Sequence, residues 1–235
     1  QMKCQGKLAR RWEFELRKEI FWGEEMGDDK PVEWFFDVPY TVSPDDWGLS
    51  AEIHQTSFDG AKNWQSALTD YDQDLPRLHA PQFEIDWKTS DATLHVAQEL
   101  FGDLLKVRRK GTWWWSMGIT VRAMFFRHIE QMYLDMIDYP DELKEMFSII
   151  SRGLMTKLDY LEANGLLSPN NDGTYVGSGG FGYADNLAPG DAEHVHCEDL
   201  WGFCESQEAV GISPAMYEEF IFPYEQPLLE RFGMN

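Results

Sequence analysis

Residues 194–233 read HVHCEDLWGFCESQEAVGISPAMYEEFIFPYEQPLLERFG, and this stretch decides how we interpret the rest of the chain. Residues 200–203 are mostly large and apolar, which predicts a short buried strand. A polar loop follows, and then Ser213 and Pro214 predict a helix start, because serine caps the first turn and proline fits the first helical position. Strand, polar loop and helix are the repeating unit of an α/β barrel, whose sites lie on such loops. The stretch therefore predicts a barrel with a site at this loop.

A motif in the same stretch resembles the uroporphyrinogen decarboxylase superfamily. Residues 211–225 fit Gly-Ile-Ser-Pro-x-Met-Tyr-x-Glu-Phe-x-x-Pro-Tyr-Glu, a helix signature of that superfamily. Asp199-x-Trp201-Gly202 and Glu205-Ser206-Gln207 strengthen the similarity to its uncharacterised members. The resemblance covers most of the chain, from about Arg10 onward, and the superfamily includes both decarboxylases and corrinoid-linked methyltransferases.

The resemblance implies a (β/α)8 TIM barrel. We expect residues 1–235 to form a single barrel domain that is incomplete at both ends, because such a barrel typically needs ~250 residues. The implied function is an enzyme that moves a methyl group to or from a corrinoid or a thiol. A cofactor-independent porphyrinogen-type decarboxylase is the first alternative, and a non-catalytic barrel that binds a small molecule or a corrinoid protein is the second.

Composition limits the partners of the protein. The net charge of −21 argues against nucleic acid, since phosphate binding needs a basic face. No apolar run approaches the ~20 residues of a membrane span, so we expect no membrane partner. The three cysteines do not make a disulfide framework, which predicts a cytoplasmic protein. A small-molecule substrate and a corrinoid protein are the partners that the resemblance implies.

Two carboxylates are the candidate catalytic groups. Glu205 follows the predicted strand at residues 200–203 and would serve as a general acid or base if burial raises its pKa. Its alternative is an ordinary surface glutamate. Asp37 ends a predicted strand at residues 32–38, where barrel enzymes carry functional groups, although an aspartate before a turn also serves as a cap.

Six further residues, together with one of three consecutive tryptophans, are candidates for substrate binding. Gln207 adjoins Glu205, and Trp201, Tyr183 and one of the three tryptophans at residues 113–115 are candidate pocket walls. His54 lies in a long polar insertion at residues 41–74, which is either a cover for the site or simply structural. Gly179 and Gly180 belong to a glycine-rich turn that either bares backbone N–H groups to an anion or is a flexible loop.

Two further groups of residues, one basic and one of histidines and cysteines, have no role that the sequence decides. Lys106, Arg108, Arg109 and Lys110 form the one dense basic run, which either binds substrate anions or is a solvated strand end. His194, His196, Cys197 and Cys204 are of the types that zinc accepts, but their spacing matches no finger or ribbon. The spacing therefore neither shows nor excludes a zinc site, and we assign no metal ligand among these residues. In the methyltransferases, the resemblance implies a His-x-Cys zinc pair beyond Asn235, so zinc and a corrinoid are expected only of the full-length protein.

Apolar spacing predicts the main helices. Leu8, Trp12, Leu16 and Ile20 predict an amphipathic helix at residues 8–24. A buried stripe predicts one helix at residues 119–138, and a second predicts another at residues 140–164, which Gly165 ends. Residues 89–91 are predicted to cap a helix that runs to Phe101.

Overall fold

The computed structural model describes residues 2–55, 62–175, 181–187 and 194–235, without the side chains of residues 53–55, 62, 175 and 181. Most of the regular structure is helical. The helices are α1 (Lys7–Phe21), α2 (Tyr71–Asp74), α3 (Trp87–Phe101), α4 (Ile119–Phe126), α5 (Ile129–Asp138), α6 (Pro140–Ala163), α7 (Pro214–Phe220) and α8 (Phe222–Leu229). The strands are β1 (Phe35–Val38), β2 (Glu52–Gln55), β3 (Lys62–Gln65), β4 (Lys106–Arg109), β5 (Asp172–Tyr175) and β6 (Phe181–Tyr183).

The strands β1 and β4 form a parallel pair in which Asp37 is the register partner of Arg108. The connection between them contains α3, as well as β2, β3 and α2, so β1, α3 and β4 make a βαβ unit with a long crossover. One face of the pair packs against α1 and α3, where Trp12, Phe36 and Val38 are buried. Asp37 and Arg108 alternate with the buried positions and therefore lie on the other face.

The helix α6 is the centre of the larger core. Its predicted apolar face is confirmed, since the side chains at that spacing are buried: Leu143, Phe147, Ile150, Leu154, Leu158 and Leu161. Gly165 has φ +61°, and the N–H groups of Gly165 and Leu166 donate to Glu162 and Leu161. This is the Schellman arrangement in which a glycine ends a helix, as the sequence predicts.

The prediction of one helix at residues 119–138 is wrong. The helix breaks after Phe126, where Arg127 takes an extended backbone conformation with φ −129°. The break turns the Arg127 guanidinium inward, where it bonds Asp135 and donates to the carbonyl oxygens of Leu68 and Thr69. A buried ion pair therefore sets the boundary between α4 and α5.

Two further sequence predictions need correction. Asp86, not residues 89–91, caps α3, because its Oδ1 accepts the Thr89 N–H at 2.9 Å. Residues 200–203 are not a strand of a sheet. They are held at a single bridge between Trp201 and Met234, and by Asn170, which bonds both the N–H and the carbonyl of Trp201.

The parallel pairing seen here is limited. Among the described residues, β1 and β4 are the one pair of strands that run parallel, apart from the single bridge at Trp201. The other two pairs, β2 with β3 and β5 with β6, are antiparallel. A βαβ unit is one repeat of an α/β barrel, and the complete ring stays a prediction.

The predicted helix start at Ser213 is confirmed. Its side chain accepts the Met216 N–H at 3.2 Å, and Pro214 is the first residue of α7. Because this cap satisfies an otherwise unpaired N–H group, we expect Ser213→Ala to lower the free energy of unfolding by about 1 kcal/mol. Urea denaturation measures the change. Ser213→Asn is the matched control, since asparagine also caps, and an equal loss in both variants would contradict the role of the cap.

Candidate functional site

The predicted site residues fall in different places. Asp37 and Tyr183 line the same cleft, whereas Glu205 and Gln207 lie on the loop before α7. His54 lies in β2, and its side chain is outside the described part of the structure. Gly179 and Gly180 are also outside the described residues.

The cleft at Asp37 has a volume of about 410 Å³, and we call it the polar cleft. At its base, the Arg108 guanidinium lies 2.5 Å from an Asp37 oxygen and 2.6 Å from an Asp172 oxygen. The Lys110 ammonium lies 2.7 Å from Asp172 and 2.6 Å from the Thr174 hydroxyl. Two cations thus meet two carboxylates on the open face of the β1–β4 pair.

Within this cluster, the carboxylates and the cations neutralise one another. Burial acts to raise the pKa of Asp172, but the bonds from Lys110 and Arg108 outweigh that effect and lower the pKa. The carboxylate is therefore ionised at neutral pH, and it neutralises the nearest cation. Asp37 has a partner in Arg108 and stands partly open to the cleft, with 40% of its side chain exposed.

The basic run at residues 106–110 is committed to partners within the protein. Arg108 and Lys110 belong to the cluster of the polar cleft, and Arg109 bonds Asp91 at 2.9 Å. The Lys106 ammonium lies 5.5 Å from the ring centroids of Trp34 and Phe35. Arg109 keeps one buried nitrogen, Nη1, without an acceptor among the described residues, but the other contacts show that the run is not merely a solvated strand end.

Glu205 and Gln207 bond each other, and Gln207 is exposed. The backbone of Glu205 has the more specific contacts, since its N–H donates to the Ser116 hydroxyl at 3.2 Å. A Cβ at Gly118 would lie 2.2 Å from the Glu205 carbonyl oxygen. The loop at residues 203–208 is therefore packed closely on the start of α4, and only glycine fits at position 118.

Glu225 is the buried carboxylate that the sequence reasoning missed. It is 1% exposed, and it accepts bonds from the Tyr217 hydroxyl at 2.8 Å, the Ser206 hydroxyl at 3.0 Å and the Ile119 N–H at 3.0 Å. Burial raises the pKa of Glu225, and these bonds only partly offset the effect. We call Ser206, Tyr217 and Glu225 the carboxylate cluster.

The carboxylate cluster gives the helix signature a structural role. Tyr217 and Glu225 belong to the signature at residues 211–225, and both hold Ser206 of the preceding loop. Through the Ile119 N–H, Glu225 also fixes the first turn of α4. The Glu205-Ser206-Gln207 motif and the helix signature at residues 211–225 are therefore in contact with each other in the structure.

The cysteines do not have the properties of reactive thiols. Burial raises the pKa of Cys197 to about 12, and burial also raises the pKa of Cys204. Both are therefore neutral thiols at physiological pH. His196 bonds Glu162 at 3.1 Å. Across the described residues there is no group of three His, Cys, Asp or Glu side chains that would hold a metal ion.

A second cleft is lined by the segment that follows β4 in the chain. Trp113, Trp114 and Trp115 line a cleft of about 190 Å³, which we call the tryptophan cleft. Trp115 is 44% exposed, as expected for three consecutive tryptophans. The apolar part of the wall comes from α4 and α6 and consists of Val121, Phe125, Leu154, Leu158 and Leu161. An adjoining cleft of about 270 Å³ shares Asp45, Trp113 and Lys157 with it.

The charged groups of the tryptophan cleft are Asp45, Lys157 and Arg122. Lys157 and Asp45 form an ion pair, with the ammonium 2.7 and 2.9 Å from the two carboxylate oxygens. Their side chains are only 12% and 15% exposed. The two charges of this pair neutralise each other. The Asp45 carboxylate is therefore bonded to Lys157 and not to Arg122.

Arg122 is the unpaired cation of this cleft. Within the described part of the chain, its guanidinium makes no hydrogen bond and no ion pair, and its carbon lies 5.7 Å from the centroid of the Trp47 ring. Burial lowers the pKa of Arg122, and the charge of Asp45 offsets this only in part. An arginine remains charged at neutral pH even so, which leaves a half-buried positive charge without a bonded anion.

Trp201, the remaining predicted wall, also lies beside the three tryptophans at residues 113–115, which line the same small cavity as it does. It lines a small cavity of about 30 Å³ together with Lys110 and Thr174. Its Nε1 is buried and finds no acceptor among the described residues. Sequence patterns gave no signal for Arg122, because it adjoins the buried stripe of α4 and looks like an ordinary surface residue of that helix.

Comparison with known proteins leaves the site to be interpreted on its geometry. No protein-family model, no curated protein and no solved structure matches this chain. None of the helices in the described ranges is both long enough and apolar enough to cross a membrane.

Proposed function

We propose that this protein is an enzyme that acts on a small organic anion bound in the tryptophan cleft. The observation that carries the proposal is the Arg122 guanidinium, which lacks a bonded counter-ion among the described residues. This half-buried charge faces the cleft, and an anionic ligand would supply the hydrogen-bonding partner that it lacks. The cleft also has the general form of a ligand site, with apolar and aromatic walls and a few polar groups.

The polar cleft supports a ligand less well, although it holds the predicted residues Asp37 and Tyr183. The two cations at its base, Arg108 and Lys110, already bond two carboxylates, so an anion bound to them would have to displace Asp37 or Asp172. We therefore place the substrate at Arg122 and assign the cluster at Asp37 to stability of the strand pair.

The reaction class rests on the sequence resemblance. Methyl transfer to or from a corrinoid or a thiol is our first candidate. The described residues provide no zinc ligand set. A zinc site and a corrinoid partner therefore stay proposals that no described residue supports, and we derive no step through them.

Decarboxylation is the second candidate function, and the residues of the tryptophan cleft support it. Arg122 would bind a carboxylate, and the apolar walls would exclude water from it. A barrel that binds an anion without turnover is the third candidate. We propose the cytoplasm as the location for all three, because the described cysteines are free thiols.

Replacing Arg122 with methionine tests the binding step. We expect Arg122→Met to weaken the binding of organic carboxylates by roughly 10- to 100-fold, the effect of losing a charged hydrogen-bonding partner. Quenching of tryptophan fluorescence in a ligand titration measures the affinity. Arg152→Met is the matched control, since Arg152 lies on the surface of α6 and bonds only exposed Glu145. Equal affinities in Arg122→Met and wild type would refute the proposal.

Turnover assays of the full-length protein separate the three candidate functions. Release of labelled carbon dioxide from a carboxylate ligand would identify the decarboxylase. Transfer of a labelled methyl group to cob(I)alamin or to a thiol would identify the methyltransferase. Binding that depends on Arg122 without either product would leave the non-catalytic barrel.

A further inference from the structure

We infer that the ligand of the tryptophan cleft is an aromatic monocarboxylate with a single ring. This inference rests on the proposed function, and it narrows the ligand from organic anions in general to one charge, one ring and a carboxylate head. Three properties of the cleft carry it: its charge balance, the chemistry of its free cation and its size.

The charge balance predicts a monoanion. Three charged side chains line the cleft, and two of them, Asp45 and Lys157, are paired at 2.7 Å. Only the charge of Arg122 is left without a bonded partner in the described structure. A second negative charge on the ligand would gain no cation and would lie near Asp45. A dianion is therefore disfavoured.

The unpaired Arg122 guanidinium predicts that the charged group of the ligand is a carboxylate. A guanidinium presents N–H donors in a planar fork that matches the two oxygens of a carboxylate. A phosphate monoester would also fit a fork, but it carries about −1.5 to −2 charge at neutral pH. The single positive charge of Arg122 suits the carboxylate better.

The size of the cleft predicts one ring. A buried apolar cavity of about 150 Å³ is known to accommodate benzene. The tryptophan cleft, at about 190 Å³, has room for one ring with its carboxylate. Side chains of Val121, Phe125 and Leu158 give it apolar walls, and the tryptophans provide flat surfaces against which an aromatic ring packs well. A tetrapyrrole with several carboxylates exceeds the single uncompensated charge.

The test is a calorimetric titration of the full chain with six probes. These are benzoate, benzamide, cyclohexanecarboxylate, phthalate, phenyl phosphate and acetate. We expect benzoate to bind best, and we expect at least a tenfold weaker affinity for benzamide, which lacks the charge. Phthalate, which adds a charge, and phenyl phosphate should bind more weakly than benzoate, as should cyclohexanecarboxylate, which is not flat.

Two variants locate the ligand. Arg122→Met should reduce benzoate affinity at least tenfold, with circular dichroism as a check that it folds. Val121→Phe narrows the cleft without touching the guanidinium, and it should weaken benzoate while leaving acetate unchanged. If both anions weaken equally in Val121→Phe, the ring does not occupy the apolar part of the cleft, and the inference is overturned.

Different results would overturn the ligand class and the proposed function. If phthalate, phenyl phosphate or cyclohexanecarboxylate binds tighter than benzoate and still depends on Arg122, the ligand class is wrong but the organic-anion site stands. If no probe shows a dependence on Arg122, the proposed function fails together with the inference.

Discussion

Replacing Asp135 with asparagine is expected to lower the free energy of unfolding by about 3–5 kcal/mol. Asp135 is completely buried, and its two oxygens bond the Arg127 guanidinium at 2.7 and 3.1 Å. Arg127 itself is only 8% exposed. Removing the negative charge would leave that cation buried without its counter-ion, and this is more costly than the loss of an ordinary hydrogen bond.

The bond pattern around Asp135 explains why asparagine cannot replace it. The Tyr71 hydroxyl donates at 2.8 Å and Gln131 donates at 3.0 Å, so every neighbour presents a donor. An amide would place its own donors against some of these groups. Asp138→Asn is the control, because Asp138 is an exposed residue of the same helix. Urea denaturation of the two variants gives the comparison, and a loss below about 1 kcal/mol in Asp135→Asn would contradict the prediction.

The pH dependence provides a second measure of Asp135. Burial acts to raise its pKa, but the bonds from Arg127, Gln131 and Tyr71 outweigh burial and lower the pKa below 3.8. A carboxyl group with a lowered pKa in the folded state adds stability above its unfolded pKa, and this stability is lost as the pH falls through the folded value. The advantage of wild type over Asp135→Asn should therefore shrink on acidification below about pH 4.

Replacing Glu225 with alanine is expected to cost about 3 kcal/mol of unfolding free energy. The substitution removes the acceptor of three donors, of which the Ile119 N–H cannot turn to another partner. It also leaves a cavity where a fully buried side chain was. Glu218→Ala on the exposed side of α7 is the control and should change stability by less than about 0.5 kcal/mol. Equal effects would show that the carboxylate cluster does not hold the loop.

Glutamine at position 225 separates charge from hydrogen bonding. Burial raises the pKa of Glu225 above 4.5, so its contribution to stability is complete below pH 4.5 and is lost as the pH rises through the folded pKa. Glutamine does not titrate. The unfolding free energy of wild type minus that of Glu225→Gln should therefore fall as the pH rises from about 4.5. A difference that grows with pH would show a carboxylate whose pKa is lowered instead.

Local patterns in the sequence predicted the helices well. The repeat of apolar residues and the glycine at position 165 were enough for α6, and Ser213 with Pro214 was enough for the start of α7. These signals lie within one helix, so they need no knowledge of the rest of the chain. The break between α4 and α5 was not predicted, because it depends on Arg127 reaching the carbonyl groups of Leu68 and Thr69.

The candidate site was predicted only in part. The tryptophans after β4 were expected as pocket walls and do line a cleft, and Asp37 does lie at the end of a parallel strand. The importance of Arg122 lies in its lack of a bonded partner, which is a property of three-dimensional packing and not of its neighbours in sequence. Glu225 was missed for the same reason, since its donors come from residues 119, 206 and 217. The complete barrel and the reaction class remain predictions.

The most direct measurement is a crystal structure of the protein soaked with 4-bromobenzoate, with the bromine located by its anomalous scattering. We predict one bromine in the tryptophan cleft, between Leu154 and Leu158, with the carboxylate within hydrogen-bond distance of the Arg122 guanidinium. A bromine found only in the polar cleft at Asp37, or an Arg122 guanidinium bonded to a carboxylate of the protein itself, would contradict the account.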